Sequence, residues 1–122
     1  MQRRTFIQAS PLWFGLPGLA SAQTGYPNRP IKYIVPVAAG GGSDMVGRQF
    51  CDRFGKVLGQ AMVVENHGGG GGVIASQMAA KASPDGYTLM QGYVATHGTS
   101  PATRKLPYDP IKDFSPIGMI GS

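Results

Sequence analysis

Two glycine-rich segments contain the residue types in this sequence that are best suited to hold a negatively charged ligand. The first consists of Ala39, Gly40, Gly41, Gly42 and Ser43, between a short apolar run and a stretch of helical periodicity. Glycine lets a ligand approach the backbone closely, and the free N–H groups of a helix's first turn favour an anion. The side chain of Ser43 is predicted to cap that helix. The segment therefore indicates the anion end of a binding site, with an ordinary strand-to-helix turn as the alternative.

Further candidate ligand-binding residues follow the next two apolar runs. Gly71 and Gly72 end a run of five glycines, and Tyr93 ends the third apolar run. The polar segment after Tyr93 contains Thr96, His97, Thr99 and Ser100. His97 is suited either to hydrogen-bond a ligand or to cap its own loop, and the sequence leaves both roles open.

The elements that position these segments alternate between strand and helix. Short apolar runs predict four strands, at residues 31–35, 61–65, 87–93 and 114–120. Apolar residues at three- and four-residue spacing predict two helices, at residues 43–58 and 73–82, with residues 94–110 as a loop. The inner faces predicted for the helices are Val46, Phe50, Phe54 and Val57 or Leu58 in the first, and Ile74, Met78 and Ala79 or Ala82 in the second.

This β-α-β-α-β order predicts an α/β fold with a parallel sheet. Right-handed crossovers place the first strand between the second and the third. The run at residues 62–64 is predicted to be buried on both faces of that sheet. Ligands of open α/β sheets bind at the carboxyl ends of the strands. We therefore expect the loops at residues 37–43, 66–72 and 94–100 to meet there in one site.

The motifs that would indicate catalysis or a cofactor are missing from the sequence. The glycines around Gly40 match neither the dinucleotide-binding G-x-G-x-x-G pattern nor the phosphate-binding P-loop. Glu65 does follow the first glycine segment at about the spacing of a ribose-binding acidic residue, which keeps a nucleotide-binding fold open. Two histidines without a cysteine pair give no metal motif, and Ser43 lacks the second glycine of a nucleophile elbow. The sequence therefore predicts no catalytic residue, no metal site and no cofactor.

The charge distribution argues against nucleic acid as a partner. The net charge is +5, but from residue 23 onward nine basic residues are scattered among six acidic ones. Nucleic-acid-binding surfaces usually show clustered basic residues, whereas a mild positive charge suits the attraction of small anions.

Cys51 is the only cysteine, so no intrachain disulfide can form, and its place in a helical pattern predicts a small core residue.

The first 22 residues have the pattern of a secretory signal peptide. Arg3 and Arg4 give the charged start, residues 9–19 give a short apolar stretch, and Ala20-Ser21-Ala22 forms an A-x-A cleavage motif. The paired arginines also suit the twin-arginine export route, and ordinary secretion signals carry such pairs too, so both routes stay open. We expect export, with a mature chain that begins near Gln23.

Five motifs of the mature chain occur in the order and spacing of a known protein family. They are Tyr26-Pro27-Asn28-Arg29-Pro30-Ile31, Val35-Pro36 with Gly40-Gly41-Gly42-Ser43-Asp44, Val63-Val64-Glu65-Asn66, Ser83-Pro84-Asp85-Gly86-Tyr87-Thr88-Leu89, and Leu106-Pro107-Tyr108-Asp109-Pro110 with Lys112-Asp113-Phe114. From Tyr26 to Ser122 the chain resembles the N-terminal part of a Bug-type substrate-binding protein of the tripartite tricarboxylate transporter system. It departs from the family pattern at Ala39, where a proline is common.

The resemblance implies a soluble periplasmic receptor rather than an enzyme. Such a receptor binds a small carboxylate-bearing molecule between two α/β lobes of a type II periplasmic-binding-protein-like fold. It delivers the ligand to membrane permease subunits, and the complete protein is expected to be a monomer. The resemblance further implies that the loop at residues 37–43 holds the ligand carboxylate through backbone groups and ordered water. Ser43, Thr96 and His97 fall on other positions that line the pocket.

The resemblance also implies an incomplete receptor. The family is longer than this chain, so residues 23–122 are expected to form a partial N-terminal lobe with an exposed sheet edge. Such a lobe is expected to bind its ligand weakly or not at all by itself. Two alternatives stay open, namely a small nucleotide- or phosphate-binding enzyme domain on a Rossmann-like sheet, and the effector-sensing lobe of a regulator. The missing phosphate motifs count against the first, and the signal peptide counts against the second.

Overall fold

The computed structural model describes residues 25–121, and the predicted signal peptide at residues 1–22 lies outside that part. The described residues form, in order, β1 Ile31–Val35, α1 Gly42–Leu58, β2 Met62–Asn66, α2 Val73–Ala80, β3 Thr88–Met90 and a third helix. A short turn, Gly70–Gly72, leads into α2. After β3 a π-helical turn, Ala95–Thr99, continues as Ser100–Thr103, and the two together are called α3. No helix within residues 25–121 is long and apolar enough to cross a membrane.

The three strands form one parallel sheet in the order β2-β1-β3. This order confirms the predicted position of the first strand between the second and the third. Tyr33 at the centre of β1 lies opposite Val64 in β2 and Leu89 in β3. Because β1 is paired along both edges and covered on both faces, four of its five residues are at most 2% exposed.

The edge strand β2 is less buried than predicted. Val63 is half-exposed, so the run at residues 62–64 is not buried on both faces. Met62 and Val64 face the cluster under α1, which leaves Val63 on the opposite side of the sheet. The helix on that side, α2, packs against β1 and β3. The exposure of Val63 therefore follows from its position on an edge strand that α2 does not reach over.

The helix α1 covers the face of the sheet that carries Tyr33 and Val35. These two side chains form a buried cluster with Cys51, which confirms the predicted core position of the cysteine. Burial raises the pKa of the Cys51 thiol to about 11, so the thiol stays protonated at neutral pH. Partly buried side chains complete the cluster, namely Val37, Phe50, Met62, Val64 and Leu89.

The inner face predicted for the first helix is partly wrong. Val46 and Val57 are exposed, whereas the most buried residues of α1 include Gly47 and Cys51. Small residues allow the helix axis to lie close to the sheet. The rotation of the helix that achieves this contact carries the two valines to its flank. Periodicity therefore predicted a helix correctly but placed its apolar stripe about one residue away from the true contact line.

The inner face predicted for the second helix is wrong for a similar reason. Ile74 and Met78 are exposed, and Ala75 and Ser76 are fully buried instead. The helix lies on the face of the sheet opposite α1, where Ile34 is 1% exposed. Alanine and serine fill the narrow space between helix and sheet, which has no room for the larger apolar side chains.

The region after the second helix differs most from the prediction. β3 is shorter than the predicted strand at residues 87–93, because the chain leaves the sheet after Met90 and enters α3, where a loop was predicted. The run at residues 114–120 forms no strand in the described structure. Pro116 within that run has no N–H to donate to a neighbouring strand, which disfavours pairing there.

The substitution Gly47→Ala in α1 is expected to destabilise the fold, although alanine is normally the better helix residue. A Cβ at Gly47 would lie 2.7 Å from Gln91 Oε1, 3.1 Å from Val35 Cγ2 and 3.3 Å from Tyr33 Cε1. Overpacking of this kind lowers the free energy of unfolding by about 1–3 kcal/mol. Urea denaturation followed by circular dichroism measures the difference.

The matched control is Gly42→Ala in the first turn of the same helix. A Cβ there would have no neighbour within 4 Å, so no contact is strained. This substitution is expected to leave stability unchanged or to raise it by up to about 1 kcal/mol. Equal free energies of unfolding for the two variants would contradict the packing role of Gly47.

Candidate functional site

The loops that follow the three strands meet at the carboxyl edge of the sheet. They are called loop 1 (residues 36–41), loop 2 (residues 67–72) and loop 3 (residues 91–94). A Cβ placed on Gly68 of loop 2 would lie 3.0 Å from the backbone nitrogen of Ala38 in loop 1. Loop 2 also touches loop 3 and the start of α3. The predicted convergence of the three loops is therefore confirmed.

Gly72 lies at the point where all three loops touch. Its φ of +83° is left-handed, and a Cβ there would lie 2.5 Å from Thr96 Cγ2, 3.2 Å from Pro36 Cβ and 3.4 Å from Tyr93 Cε1. Only glycine fits this combination of backbone conformation and close contact. Gly72 is buried beneath these neighbours. Its observed role is to let the loops pack together.

A buried carboxylate fixes the shape of loop 1. Asp44 in the first turn of α1 is 3% exposed. Its Oδ2 accepts hydrogen bonds from the Gly40 N–H at 2.8 Å and from Arg48 Nε at 3.0 Å. Its Oδ1 accepts one from Asn66 Nδ2 at 2.8 Å, and the same Asn66 amide donates to the Val37 carbonyl at 3.2 Å. Loop 1 is therefore held at both ends by side chains of α1 and β2.

The donors around Asp44 keep its carboxyl group ionised. The Gly40 N–H, and after it the side chains of Arg48 and Asn66, lower the pKa of Asp44 to about 2. Arg48 also donates from Nη2 to the Asn66 Oδ1 at 3.1 Å, so the three side chains form one network. None of them was among the predicted site residues. The sequence did contain one signal for this network, namely an aspartate and an arginine four residues apart, because such residues meet on one face of a helix.

The start of α1 leaves backbone donors without a partner. Gly41, rather than the predicted Ser43, is the N-cap residue, and no side chain caps the helix. Ser43 already lies inside the first turn, past the position from which a side chain caps. The first helical hydrogen bond runs from the Met45 N–H to the Gly41 carbonyl at 3.0 Å. Within the described residues, the N–H groups of Gly42 and Ser43 have no acceptor, so they are available to an anion.

Loop 1 itself is exposed at Ala39, Gly40 and Gly41. Gly40 has a φ of +91°, a conformation that is strained for residues with a side chain. Its N–H is already engaged by Asp44. Gly40 therefore shapes the loop, and the accessible N–H groups come after it.

Thr96 stabilises the start of α3 through hydrogen bonds. The residue is fully buried. Its hydroxyl accepts a hydrogen bond from the Tyr93 N–H at 3.0 Å and lies 2.9 Å from the Tyr93 carbonyl and 2.8 Å from His97 Nδ1. Tyr108 adds a hydrogen bond from its hydroxyl to the Thr96 carbonyl at 3.0 Å. The Thr96 side chain is thus satisfied within the chain and does not reach the surface of the site.

His97 lies beside Thr96 but remains accessible. Its ring covers Gly92, where a Cβ would lie 3.2 Å from the imidazole, and it packs edge-on against Phe114 at 5.0 Å between ring centres. This partial desolvation lowers the pKa of His97, so the ring is neutral at neutral pH. A neutral imidazole in this place can donate or accept a hydrogen bond.

Two further predicted residues lie beside these. The partly buried ring of Tyr93 packs against Gly72, and Gly71 is exposed at the surface of loop 2. It has a φ of +69°. A Cβ placed on it would lie 3.4 Å from the Ser100 hydroxyl in α3 and 3.9 Å from the guanidinium of Arg104, the residue after α3. The fold therefore brings predicted residues of all three loops together and adds an arginine that was not predicted for the site.

Glu65, which left a nucleotide-binding fold open, is engaged by other side chains. Its carboxylate pairs with Lys32 Nζ at 3.1 Å and with His67 Nε2 at 3.3 Å. Partial burial raises the pKa of Glu65, but the hydrogen bonds from Lys32 and His67 outweigh it, and the net shift is downward. The carboxylate is thus already used within the chain, which removes the observation that favoured a nucleotide-binding site.

The three-loop cluster is an open surface rather than an enclosed pocket. A cavity of about 500 Å³ lies elsewhere, between α3 and the segment that follows it, and prolines, Arg104, Asp109 and Asp113 line it. Within residues 25–121 there is no group of three or more side chains that could hold a metal ion. The chemistry of the cluster is therefore that of backbone N–H groups, small polar side chains and one nearby guanidinium.

Comparison with known proteins shows which family this chain belongs to. Residues 46–122 match the family model described as tripartite tricarboxylate transporter family receptor. A UPF0065 protein of Agrobacterium vitis is 44% identical over 105 residues, which is 86% of this chain and 30% of that protein.

Two solved structures are similar to the chain in both sequence and fold. The periplasmic binding protein BugD is 42% identical with a TM-score of 0.72, over 76% of this chain and 31% of BugD. MatC of Rhodopseudomonas palustris with bound malate is 43% identical with a TM-score of 0.71, over 75% of this chain and 31% of MatC. The chain therefore spans about 30% of the length of these relatives.

The substitution Gly72→Ala is expected to loosen the contact between the loops. The left-handed backbone alone disfavours alanine by about 1–2 kcal/mol, and the overlap with Thr96 adds about 1–3 kcal/mol. Thermal unfolding should show a clearly lower melting temperature. Gly41→Ala serves as the control, because its φ is −81° and its Cβ would be 3.9 Å from the nearest atom. A Gly72→Ala variant as stable as Gly41→Ala would contradict the role of Gly72.

The ionised Asp44 is expected to make stability depend on acid pH. Its pKa in the folded chain, about 2, lies below its ordinary value of 3.8, so its stabilising effect is complete above about pH 4 and is lost as pH falls towards 2. Asp44→Asn should be less stable at neutral pH and should lose less stability in that acid range. Denaturant titrations at several pH values measure both effects.

Asp52→Asn is the control for this experiment. Asp52 pairs with Lys56 four residues along α1, and both side chains are exposed. Its replacement should leave the acid sensitivity of the chain as in the wild type. If Asp44→Asn and Asp52→Asn show the same change in the free energy of unfolding between pH 4 and 2, Asp44 does not have the stabilising role described here.

Proposed function

Because the chain belongs to the tripartite tricarboxylate transporter receptor family, we propose that it is part of a receptor that captures a small carboxylate-bearing molecule. The receptor delivers this ligand to membrane permease subunits and does not transform it. The observation that carries the proposal is the pair of unpartnered N–H groups at Gly42 and Ser43, in the first turn of α1 directly after loop 1. The similar MatC structure with bound malate supports a carboxylate as the ligand.

The ligand carboxylate binds at the first turn of α1. The N–H groups there carry the positive end of the helix dipole, which favours a negative group. Asp44 is close to this position, but its charge is directed into the fold, where it meets Gly40, Arg48 and Asn66. The buried carboxylate therefore orients the loop, and the paired Arg48 offsets its repulsion of an incoming anion.

The predicted site residues have two kinds of role in this proposal. Those that lie at the accessible surface contact the ligand directly or through water: Ala39, Gly40, Gly41, Gly42, Ser43, Gly71, Tyr93 and His97. Gly72 and Thr96 are buried and satisfied within the chain, and they hold the loops in place. The first group sets what is bound, and the second sets how well the loops are preorganised.

The receptor acts in the periplasm. Residues 1–22 serve as the signal peptide, and residues 23–122 form part of the N-terminal lobe of a type II periplasmic-binding-protein-like fold. The open surface at the three loops is one wall of the binding site, and a second α/β lobe supplies the opposite wall. The similarity to the periplasmic binding protein BugD supports this arrangement.

Carboxylates are expected to raise the melting temperature of the purified chain only slightly and at high concentration, because one wall of the site is present, whereas nucleotides are expected to leave it unchanged. A ligand that binds only the folded state stabilises it by about 2.7 kcal/mol at one hundred times its dissociation constant. The test is a thermal-shift series with mono-, di- and tricarboxylates, with ATP and NAD as the competing class. Sodium chloride at matched ionic strength controls for general salt effects.

Two results would contradict the proposed function. The first is stabilisation by ATP or NAD without stabilisation by any carboxylate. The second is a carboxylate effect that sodium chloride reproduces in full, since that would show screening of surface charge rather than binding.

A further inference from the structure

A clasp of side chains joins the start of the described chain to the turn before β3, at the amino edge of the sheet. This edge lies opposite the three loops, so the clasp takes no part in the proposed ligand site. Two of the sequence motifs meet in it, at residues 26–31 and 83–89. The clasp consists of Tyr26, Asn28 and Arg29 on one side and of Asp85, Gly86 and Tyr87 on the other.

Tyr26 packs directly on Gly86. Its hydroxyl donates a hydrogen bond to the Gly86 carbonyl at 2.7 Å, and its ring packs edge-on against the Tyr87 ring at 5.1 Å between ring centres. A Cβ at Gly86 would lie 2.7 Å from the Tyr26 hydroxyl oxygen and 3.1 Å from Cε2 and Cζ of its ring. Gly86 therefore leaves free the space that the Tyr26 ring occupies.

Asn28 and Arg29 both contact Tyr87. The Tyr87 hydroxyl accepts a hydrogen bond from the Asn28 N–H at 3.0 Å and donates one to Asn28 Oδ1 at 2.8 Å. The Arg29 guanidinium lies over the Tyr87 ring, 4.1 Å from its centre, and pairs with Asp85 Oδ2 at 3.0 Å. The segment at residues 26–29 is therefore fixed to the fold through three of its four side chains.

The clasp lies at the surface rather than in the core. Tyr26 is 57% exposed, and the side chains of Arg29 and Asp85 are 60% and 43% exposed. Ion pairs and cation–π contacts at exposed positions stabilise only modestly. Regions held by such contacts open locally without unfolding of the whole chain. The clasp is therefore able to open while the sheet stays intact.

The clasp lies close in sequence to the bond at which the signal peptide is expected to be cut. Only residues 23–25 separate that bond, after Ala22, from Tyr26. An extended chain spans at most about 3.6 Å per residue, so the bond lies within about 14 Å of Tyr26. Proteases cut free stretches of backbone rather than stretches that are tied to a fold. With the clasp closed, the fold therefore occupies space that a peptidase needs.

We propose that the clasp controls the removal of the signal peptide: the bond after Ala22 is cut while the clasp is open, and a closed clasp protects it. The inference rests on the proposed signal peptide at residues 1–22. In the cut, water hydrolyses the amide between Ala22 and Gln23 and leaves a carboxylate on Ala22 and an amine on Gln23. The rate of this cut in the folded precursor follows the fraction of molecules with an open clasp.

The test uses the folded full chain with purified signal peptidase, and mass spectrometry follows the cut after Ala22. Arg29→Gln removes the ion pair with Asp85 and the contact with the Tyr87 ring, so it is expected to speed the cut about tenfold. A second variant carries about eight added Gly and Ser residues between Gly25 and Tyr26. This insertion leaves the clasp intact and adds roughly 16 Å of flexible reach, so it is expected to speed the cut as well.

Lys56→Gln is the matched control, because it also removes one exposed positive charge and its ion pair, here with Asp52 in α1. It should be cut as slowly as the wild type. Equal acceleration by Arg29→Gln and Lys56→Gln would overturn the role of the clasp, and so would an insertion variant that is cut at the wild-type rate. Both results would leave the signal peptide standing. The absence of a cut after Ala22 in every variant would refute the signal peptide and the role of the clasp together.

Discussion

The geometry of loop 1 depends on the buried carboxylate of Asp44. A charge in a protein interior is tolerated only when hydrogen bonds surround it, and here the Gly40 N–H, Arg48 and Asn66 do so. The same bonds hold the loop at Val37 and Gly40, and they join the end of β2 to the start of α1. As a consequence, the next N–H groups along the helix have no internal acceptor and remain available to a ligand.

Close packing by small residues determines what surrounds that loop. Gly47 and Cys51 bring α1 onto one face of the sheet, and Ala75 and Ser76 bring α2 onto the other. Gly72 allows equally close packing between the loops, since no residue with a Cβ fits between their side chains. Val46 and Val57 of α1 and Ile74 and Met78 of α2 lie at the flanks as a result.

The site combines residues that are preorganised with residues that remain free. Gly72 and Thr96 are committed to contacts inside the chain, and Glu65 is committed to Lys32 and His67. Receptors that bind small anions benefit from such preorganisation, because loops that are already ordered lose little entropy on binding. The membership of the chain in a transporter receptor family agrees with a site built from backbone donors rather than from catalytic side chains.

The sequence by itself determined the order of the elements from β1 to β3, the parallel sheet with the first strand at its centre, and the meeting of the three loops. These features follow from local periodicity, from glycine and proline positions, and from the handedness of crossovers, all of which act over short stretches of chain. The tertiary structure alone decided which side of each helix faces the sheet, because that depends on the volume left between layers. It alone also brought Asn66 to Asp44 and Val37, and Arg104 to Gly70, because these partners come from segments distant in sequence.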